Sequence, residues 1–542
     1  MSSTDRDSDV VVVGSGGAAL LAAATAAQDG CAVTVLERSA HFGGTTSVSG
    51  GLVWVPLNRF LAQAGVGETR AGAINYLTRL AAGHVAAEII ETYVDNAHLM
   101  VDYLEERTPV RVAPMPEFPD YHPDFEGACQ GGRGLESLPF DAGLLGEHAH
   151  SVRISPYYTA LTLSELKSGV SDPGIIPWAR AAERIQGNVR TLGSALVCGL
   201  LKACKDAGVR LVSNVRARTL VVDGYRATGV EAENGGGEMV TFLARRGVIL
   251  GSGGFDWNEK MKARLLGLTG LVSSGVPSNE GDGLTMALRA GASLTGTREA
   301  WWEPLGAIPG EQWSEGGQIY RPNVAERTLP GSVMVNRAGR RFVNEAMNYH
   351  DLSRSMMAFD AISYDYPNRV AWTVFDQAFK DRYVVMSSMP GEPAPEWLTA
   401  ADSLPQLAEK VGIDPDGLVA TIARFNRFAR EGVDEDFHRG ESTYDRYQAD
   451  ARHTPNRSLG PLDQPPYYAL NTVLGIVGTK TGLDITPRAE VLSSAGSPIP
   501  GLFACSNLVA AAITGPAIPG PGGTLGPALT FGYLAGLNAR RG

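Results

Sequence analysis

The 542-residue sequence is poor in cysteine, contains no long apolar run and carries an excess of acid over base. Its five cysteines, Cys31, Cys129, Cys198, Cys204 and Cys505, are scattered, odd in number and never at metal-ligand spacing. That argues against a disulfide framework or a cysteine metal centre and fits a reducing compartment. No apolar stretch reaches the roughly 18 residues of a membrane helix. Met1 to Arg6 is polar, without the apolar core of a secretion signal. A cytoplasmic protein with no transmembrane segment is therefore expected. A net charge of −11 argues against a nucleic-acid partner. Internal repeats and low-complexity tracts are absent as well. A chain of this length exceeds one simple core, and two domains are the natural expectation.

What is present begins at once. The apolar run Asp9–Val13 passes through Gly14-Ser15-Gly16-Gly17-Ala18-Ala19 into a helical segment, Leu20–Gln28. Strand, tight turn and helix in this order form a dinucleotide-binding unit. Gly14 makes the turn, Gly16 and its neighbours Gly17 and Ala18 let a pyrophosphate approach, and Ala19 allows close helix–strand packing. The helix N-terminus offers free N–H groups to phosphate. A second strand, Ala32–Leu36, ends on Glu37 (followed by Arg38), about where an acidic residue holds a ribose hydroxyl. A second glycine turn follows, Gly43-Gly44-Thr45-Thr46-Ser47, then Ser49-Gly50-Gly51. Its small hydroxyl residues suit phosphate or a flavin edge and move the expectation from NAD to FAD. With no His or Cys between Gly43 and Gly51, the FAD is expected to be noncovalent.

Further along, helical spacing covers Arg70 to about Glu106 and returns over Thr191–Asp206. Short strands at Arg210–Val212, Thr219–Val222 and Thr228–Glu231 read as a meander, with Val215 placed for a backbone contact to adenine. The strand Gly247–Leu250 runs into Gly251-Ser252-Gly253-Gly254, bringing backbone near the cofactor. Asp282 opens a helix through Ala290, either as a cofactor contact or as an ordinary first-turn acid. Trp301-Trp302, strands at Val333–Val335 and Val370–Val374, and helices at Leu404–Val411 and Asp416–Arg430 form an inserted mixed unit. The chain then returns to a strand (Leu502–Ala504), Asn507, a Gly/Pro-rich turn, and a helix entered through Gly523-Thr524-Leu525. The expected fold is α/β: a discontinuous, Rossmann-like doubly wound FAD domain (residues 1–295 and 470–542) with an inserted α+β catalytic cap (296–469).

Four stretches carry a more specific likeness: Gly14–Ala19 with Gly43–Thr46; Leu329-Pro330-Gly331 through Arg341–Glu345; Phe425–Ala429 through Asp436–Gly440; and Pro519-Gly520-Pro521-Gly522 through Thr530–Ala535. Through these the chain resembles the 3-ketosteroid Δ1-dehydrogenases, within the flavoprotein group that includes fumarate reductases. The resemblance implies α,β-desaturation of a cyclic ketone, a 3-oxosteroid first of all. A base removes the proton beside the carbonyl and hydride leaves the adjacent carbon for flavin N5; reoxidation falls to an external electron acceptor. It also implies roles: Tyr349 as the base, Tyr121 as its hydrogen-bonding partner, and the Gly522 N–H facing the substrate carbonyl. Removing such a proton requires that charge on the carbonyl oxygen be stabilised as it develops.

One position departs from the family pattern. Ile518 stands where a second carbonyl-binding tyrosine is expected, and isoleucine donates no hydrogen bond. Losing one oxyanion donor costs about 10²–10³ in rate, so Tyr468, His122 and Tyr158 are candidate replacements. Trp301 and Trp302 either narrow the pocket toward a small monocyclic ketone of the cyclohexanone kind or pack the core, and packing is the simpler expectation. A fumarate-reductase-like reaction would need arginines to clamp two carboxylates, and Gly515–Gly526 contains neither Arg nor His. A flavin-binding protein without activity is the remaining alternative.

Overall fold

The apolar run at the start of the chain forms the strand Asp7–Val13, with Val10, Val11 and Val12 completely buried. A continuous β-branched run suits a parallel strand covered on both faces. It pairs in parallel with Met239–Leu250 on one side and Val33–Leu36 on the other. Arg210–Val212 extends the sheet beyond Val33–Leu36, and Pro498–Ala504 extends it beyond Met239–Leu250. The computed structural model describes residues 7–28, 30–170 and 172–541. The polar Met1–Arg6 segment considered above lies outside them.

The first helix is Gly17–Ala27, starting earlier than the expected Leu20, because the turn closes at once with Leu20 N–H on the Gly16 carbonyl at 2.9 Å. All of its residues are buried. The expected strand at Gly247–Leu250 is the end of a 12-residue strand, Met239–Leu250. Its first half pairs antiparallel with the meander strand Arg226–Asn234, and its second half enters the parallel sheet. The helical span from Arg70 is two helices, Arg70–Ala81 and Ala87–Arg107. They part at Ala82, which is left-handed at φ 48°, and at Gly83.

A second, mixed sheet of seven strands is built largely from the stretch expected as an inserted unit. Its central strand is Tyr467–Thr479, which pairs with Ala300–Gln312, Val370–Asp376, Thr399–Ala401 and Val272–Ser273. Residue 469, an expected boundary, lies inside this central strand, and Val272–Ser273 joins the sheet from before residue 296. Strands continue through a sheet regardless of where composition changes along the chain. Among the described residues, no helix is long and apolar enough to cross a membrane. All five cysteines are buried and free of disulfides.

Candidate active site

The two glycine turns and the C-terminal helix enclose an elongated cavity. Of the residues expected to hold the cofactor, Gly14, Gly16, Gly17, Ala18, Glu37, Arg38, Gly44, Thr45, Thr46, Ser49, Val215, Gly253, Asp282, Asn507, Thr524 and Leu525 line it. Gly14 has φ +99°, and a Cβ there would sit 2.6 Å from the Gly251 carbonyl oxygen, so only glycine fits. The second turn is pinned to the first: Gly17 N–H donates to Thr46 Oγ1 at 3.1 Å and Gly43 N–H to Ser15 Oγ at 3.1 Å. Glu37 accepts from Ser15 Oγ at 2.6 Å and from Ser39 N–H at 2.8 Å. Burial raises its pKa against those hydrogen bonds and the nearby Arg153 and Arg38.

Seven of the expected residues stand behind this lining. Ala19 packs on Gly251, whose Cβ would be 2.7 Å from the Ala19 methyl. Gly43 is the left-handed N-cap of Gly44–Val48, and Ser47 donates to the Arg153 carbonyl. Gly50 is exposed, and Gly51 abuts the backbone of Leu192 and Gly193. Gly254 abuts Thr479, and Gly523 N–H is used by the Gly520 carbonyl at 2.9 Å. They shape the cavity without reaching it. At the far end, Val215 N–H is committed to the Glu37 carbonyl at 2.9 Å. Asp282 pairs with Arg216 at 2.6 Å and with Arg38 at 3.2 Å. It is the first residue of its helix and caps nothing with its side chain, since the N-cap is Gly281.

The residues fit FAD on a separate observation. Ser252 Oγ and Ser506 Oγ are buried, have no hydrogen-bond partner among the described residues and line this cavity. A buried unsatisfied hydroxyl costs about 1–3 kcal/mol, and the polar groups of a dinucleotide would relieve both.

Beside the Asn507 end lies an aromatic cluster of Met115, Phe118, Tyr121, Trp301, Tyr444 and Ile518, with Tyr349 against it. Tyr349 is the first residue of the helix Tyr349–Met356, capped by Asn348, whose side chain accepts from Asp351 N–H. The ring of Tyr121 lies 5.7 Å from that of Tyr349, edge to face. Burial above all raises the Tyr349 pKa well beyond that of a free phenol, and the Glu303 charge and Tyr444 add to it. The Tyr121 hydroxyl acts the other way, favouring the Tyr349 phenolate while its own pKa rises.

The loop holding Tyr121 is set by Asp120, which accepts from Trp54 Nε1 at 2.7 Å and Cys129 N–H at 2.8 Å and pairs with Arg133. Gly522 sits across from it at φ +90°, where a Cβ would be 2.6 Å from Leu52 C and Val53 N. Its carbonyl accepts from Trp54 N–H at 3.1 Å, while its own N–H has no acceptor among the described residues.

Of the candidate replacements for a donor at Ile518, two lie elsewhere. Tyr468 donates to Gln377 at 2.5 Å, and Tyr158 accepts from Thr191 N–H at 2.8 Å. His122 is beside the site and stacks on Phe125; its Nε2 lies 3.1 Å from Asp351 Oδ2 without a hydrogen bond to it, and burial lowers its pKa. The tryptophans divide, as successive strand residues do. Trp301 faces the cofactor cavity and donates to Asn507 Oδ1 at 3.1 Å, whereas Trp302 belongs to the main core.

Sequence reasoning missed two groups. Tyr444 lies 5.1 Å from Tyr121, edge to face, and nothing in its local sequence marks it. Glu303 is a buried carboxyl on the strand Ala300–Gln312, with Ser274 Oγ at 3.3 Å. Burial pushes its pKa up to about 8, against Ser274 and Arg327. An acid inside the apolar run from Trp301 to Leu305 was a visible signal.

The glycine cradle, the orphaned serines and the adjoining tyrosines define an FAD-binding flavoprotein, and a family model described as an FAD binding domain matches residues 9–525. The chain is 41% identical over 536 residues to 4-oxocyclohexanecarboxylate 2-dehydrogenase of Sinomonas cyclohexanicum, covering 97% of this chain and 92% of that protein. It is 38% identical over 571 aligned positions to 3-oxosteroid 1-dehydrogenase of Mycolicibacterium smegmatis, covering 99% and 97%. The crystal structure of 3-ketosteroid Δ1-dehydrogenase from Sterolibacterium denitrificans with 1,4-androstadiene-3,17-dione superposes with a TM-score of 0.92 at 34% identity, over 99% of this chain and 100% of that one. This chain belongs to the FAD-binding flavoprotein family that contains the 3-oxosteroid 1-dehydrogenases.

Proposed function

We propose that this protein desaturates a cyclic ketone next to its carbonyl, with a 3-oxosteroid as the principal substrate. The observation that carries the reading is the Tyr349–Tyr121 ring pair, 5.7 Å apart, in the same aromatic cluster as the Ile518 end of the turn bearing the uncommitted Gly522 N–H. Bound FAD supplies the two-electron oxidant. Tyr349 takes the proton from the carbon beside the carbonyl, while Gly522 N–H donates to the carbonyl oxygen as charge builds there. Tyr121 and the N-terminal end of the Tyr349 helix favour negative charge on the Tyr349 oxygen. The buried aromatic cluster keeps water from the reacting carbons. Asn507, Thr524, Thr45 and the Gly14–Gly17 turn are the proposed cofactor contacts. An external acceptor closes the cycle, and the cytoplasm is the proposed location.

A second reading has a specific observation behind it. Ile518 removes one carbonyl donor and Trp301 faces the cofactor cavity, which favours a single-ring ketone such as the one named for the Sinomonas relative. Anaerobic titration of the holoenzyme tests both: a 3-oxosteroid should bleach the flavin absorbance at least tenfold faster than a cyclohexanone. The reverse order selects the second reading, and no bleaching by either ketone removes both.

A further inference from the structure

Beyond the aromatic cluster lies a separate cavity of about 700 Å³. Met115, Phe118 and Tyr447 belong both to its wall and to the cluster around Tyr121 and Tyr349. A file of rings connects the two: Tyr349 to Tyr121 at 5.7 Å, Tyr121 to Phe118 at 6.3 Å and Phe118 to Tyr447 at 4.4 Å. That path is longer than one six-membered ring. Of the two ketone classes, only a fused polycyclic one has the length to span from Tyr349 to the cavity wall.

The cavity is cationic, against the acidic balance of the chain as a whole. Lys167, Arg446, Arg452 and Arg457 line it with Glu117 and Asp172, and the buried Asp450 stands behind the wall, 3.8 Å from Arg452. Arg452 is matched by Asp172 at 2.8 Å. Arg446 reaches the Glu441 carbonyl and Thr443 Oγ1. Lys167 and Arg457 make no ion pair among the described residues. The half-buried Lys167 ammonium donates to the Tyr447 carbonyl and lies 4.5 Å from the centre of the Tyr447 ring. Burial lowers its pKa to about 8, against the pull of Asp450 and Glu117. A cation withdrawn from water, touching a carbonyl and a ring face and drawn by Asp450 and Glu117 only through space, gains from an incoming anion through a charge-assisted hydrogen bond.

We propose that this cavity is a carboxylate subsite, and that the preferred substrate is a polycyclic ketone whose end remote from the carbonyl carries a carboxylate held by Lys167 and Arg457. The inference rests on the ketone-desaturase reading above. It adds the charge of the substrate and the two side chains that read it.

The test uses the holoenzyme with a matched pair: a 3-oxosteroid bearing a side-chain carboxylate, and its methyl ester. At low salt kcat/KM should favour the acid by about tenfold, and added salt should narrow the gap. Lys167→Met and, separately, Arg457→Gln should each lower kcat/KM for the acid several-fold, mainly through KM, and change that of the ester less than about twofold. Arg457 is exposed, so its variant serves if the Lys167 variant fails to fold. Equal kcat/KM for acid and ester, or equal losses on both in the variants, overturns the proposal. If neither compound reduces the flavin, the desaturase reading falls. Equilibrium binding then decides the subsite: tighter binding of the acid, lost in the variants, sustains it, and equal affinities overturn it.

Discussion

The backbone N–H of Tyr121 donates to the carbonyl of Pro519 at 3.2 Å. The same carbonyl accepts from the Tyr76 hydroxyl at 2.5 Å. Two segments almost four hundred residues apart are thereby held as one piece: the loop with the proposed partner of the base, and the turn with the proposed carbonyl donor. Catalysis by proton removal next to a carbonyl needs both groups in register, since a misplacement on the order of 1 Å costs about 10² in rate.

Replacing Tyr349 by Phe removes the proposed base and leaves the cofactor cavity untouched. Turnover should fall by about 10³-fold or more while FAD stays bound, read by stopped-flow flavin reduction and by the flavin spectrum. Tyr349→Phe with near-normal reduction would exclude Tyr349 as the base.

Tyr121→Phe tests the interaction between the two hydroxyls. That interaction favours the Tyr349 phenolate, so its loss should move the rising limb of the kcat/KM profile, set by ionisation of Tyr349, to higher pH and lower the rate near neutrality about tenfold or more. A rate loss with an unmoved pH profile would assign Tyr121 a packing role only.

Gly522→Ala places a methyl 2.6 Å from the backbone of Leu52 and Val53, in a left-handed conformation that L-residues resist. The turn must shift, so the thermal midpoint should drop by the equivalent of about 2 kcal/mol or more, and kcat should fall further than KM rises. Calorimetry and steady-state kinetics read the two effects separately.

Glu303 makes stability pH-dependent. Its pKa is about 8 in the folded chain against an ordinary 4.5. Between these values the folded state keeps a proton that the unfolded chain releases, so this carboxyl's contribution falls as pH rises from about 4.5 to 8. Each unit corresponds to about 1.4 kcal/mol, giving a total on the order of a few kcal/mol. Glu303→Gln has no such slope. Its thermal midpoint should gain on wild type steadily from pH 5 to 8, and parallel curves would exclude the effect.

The cofactor should leave on denaturation. No His or Cys lines the cavity among the described residues, so acid precipitation should release all the yellow colour into the supernatant. Colour retained in the pellet would mean a covalent link.

Linear patterns carry the parts whose physics is local. The β-branched run before Gly14, the glycine turns and the helix starts are legible in sequence because turn geometry and strand burial depend on neighbours in the chain. The inserted unit is legible as a change of pattern, but its edge is not, because Tyr467–Thr479 is one strand serving the second sheet on both sides of residue 469. Motifs also single out Tyr349, Tyr121 and Gly522, yet only folding brings the two rings to 5.7 Å and ties the Tyr121 loop to the Pro519 carbonyl. Tyr444 beside Tyr121, the burial of Glu303, Trp301 facing the cavity and Trp302 the core, and the Lys167 cavity beyond Phe118 were decided by tertiary structure alone. Burial, shared walls and missing counter-charges are properties of surfaces that meet, and those surfaces come from segments far apart in the chain.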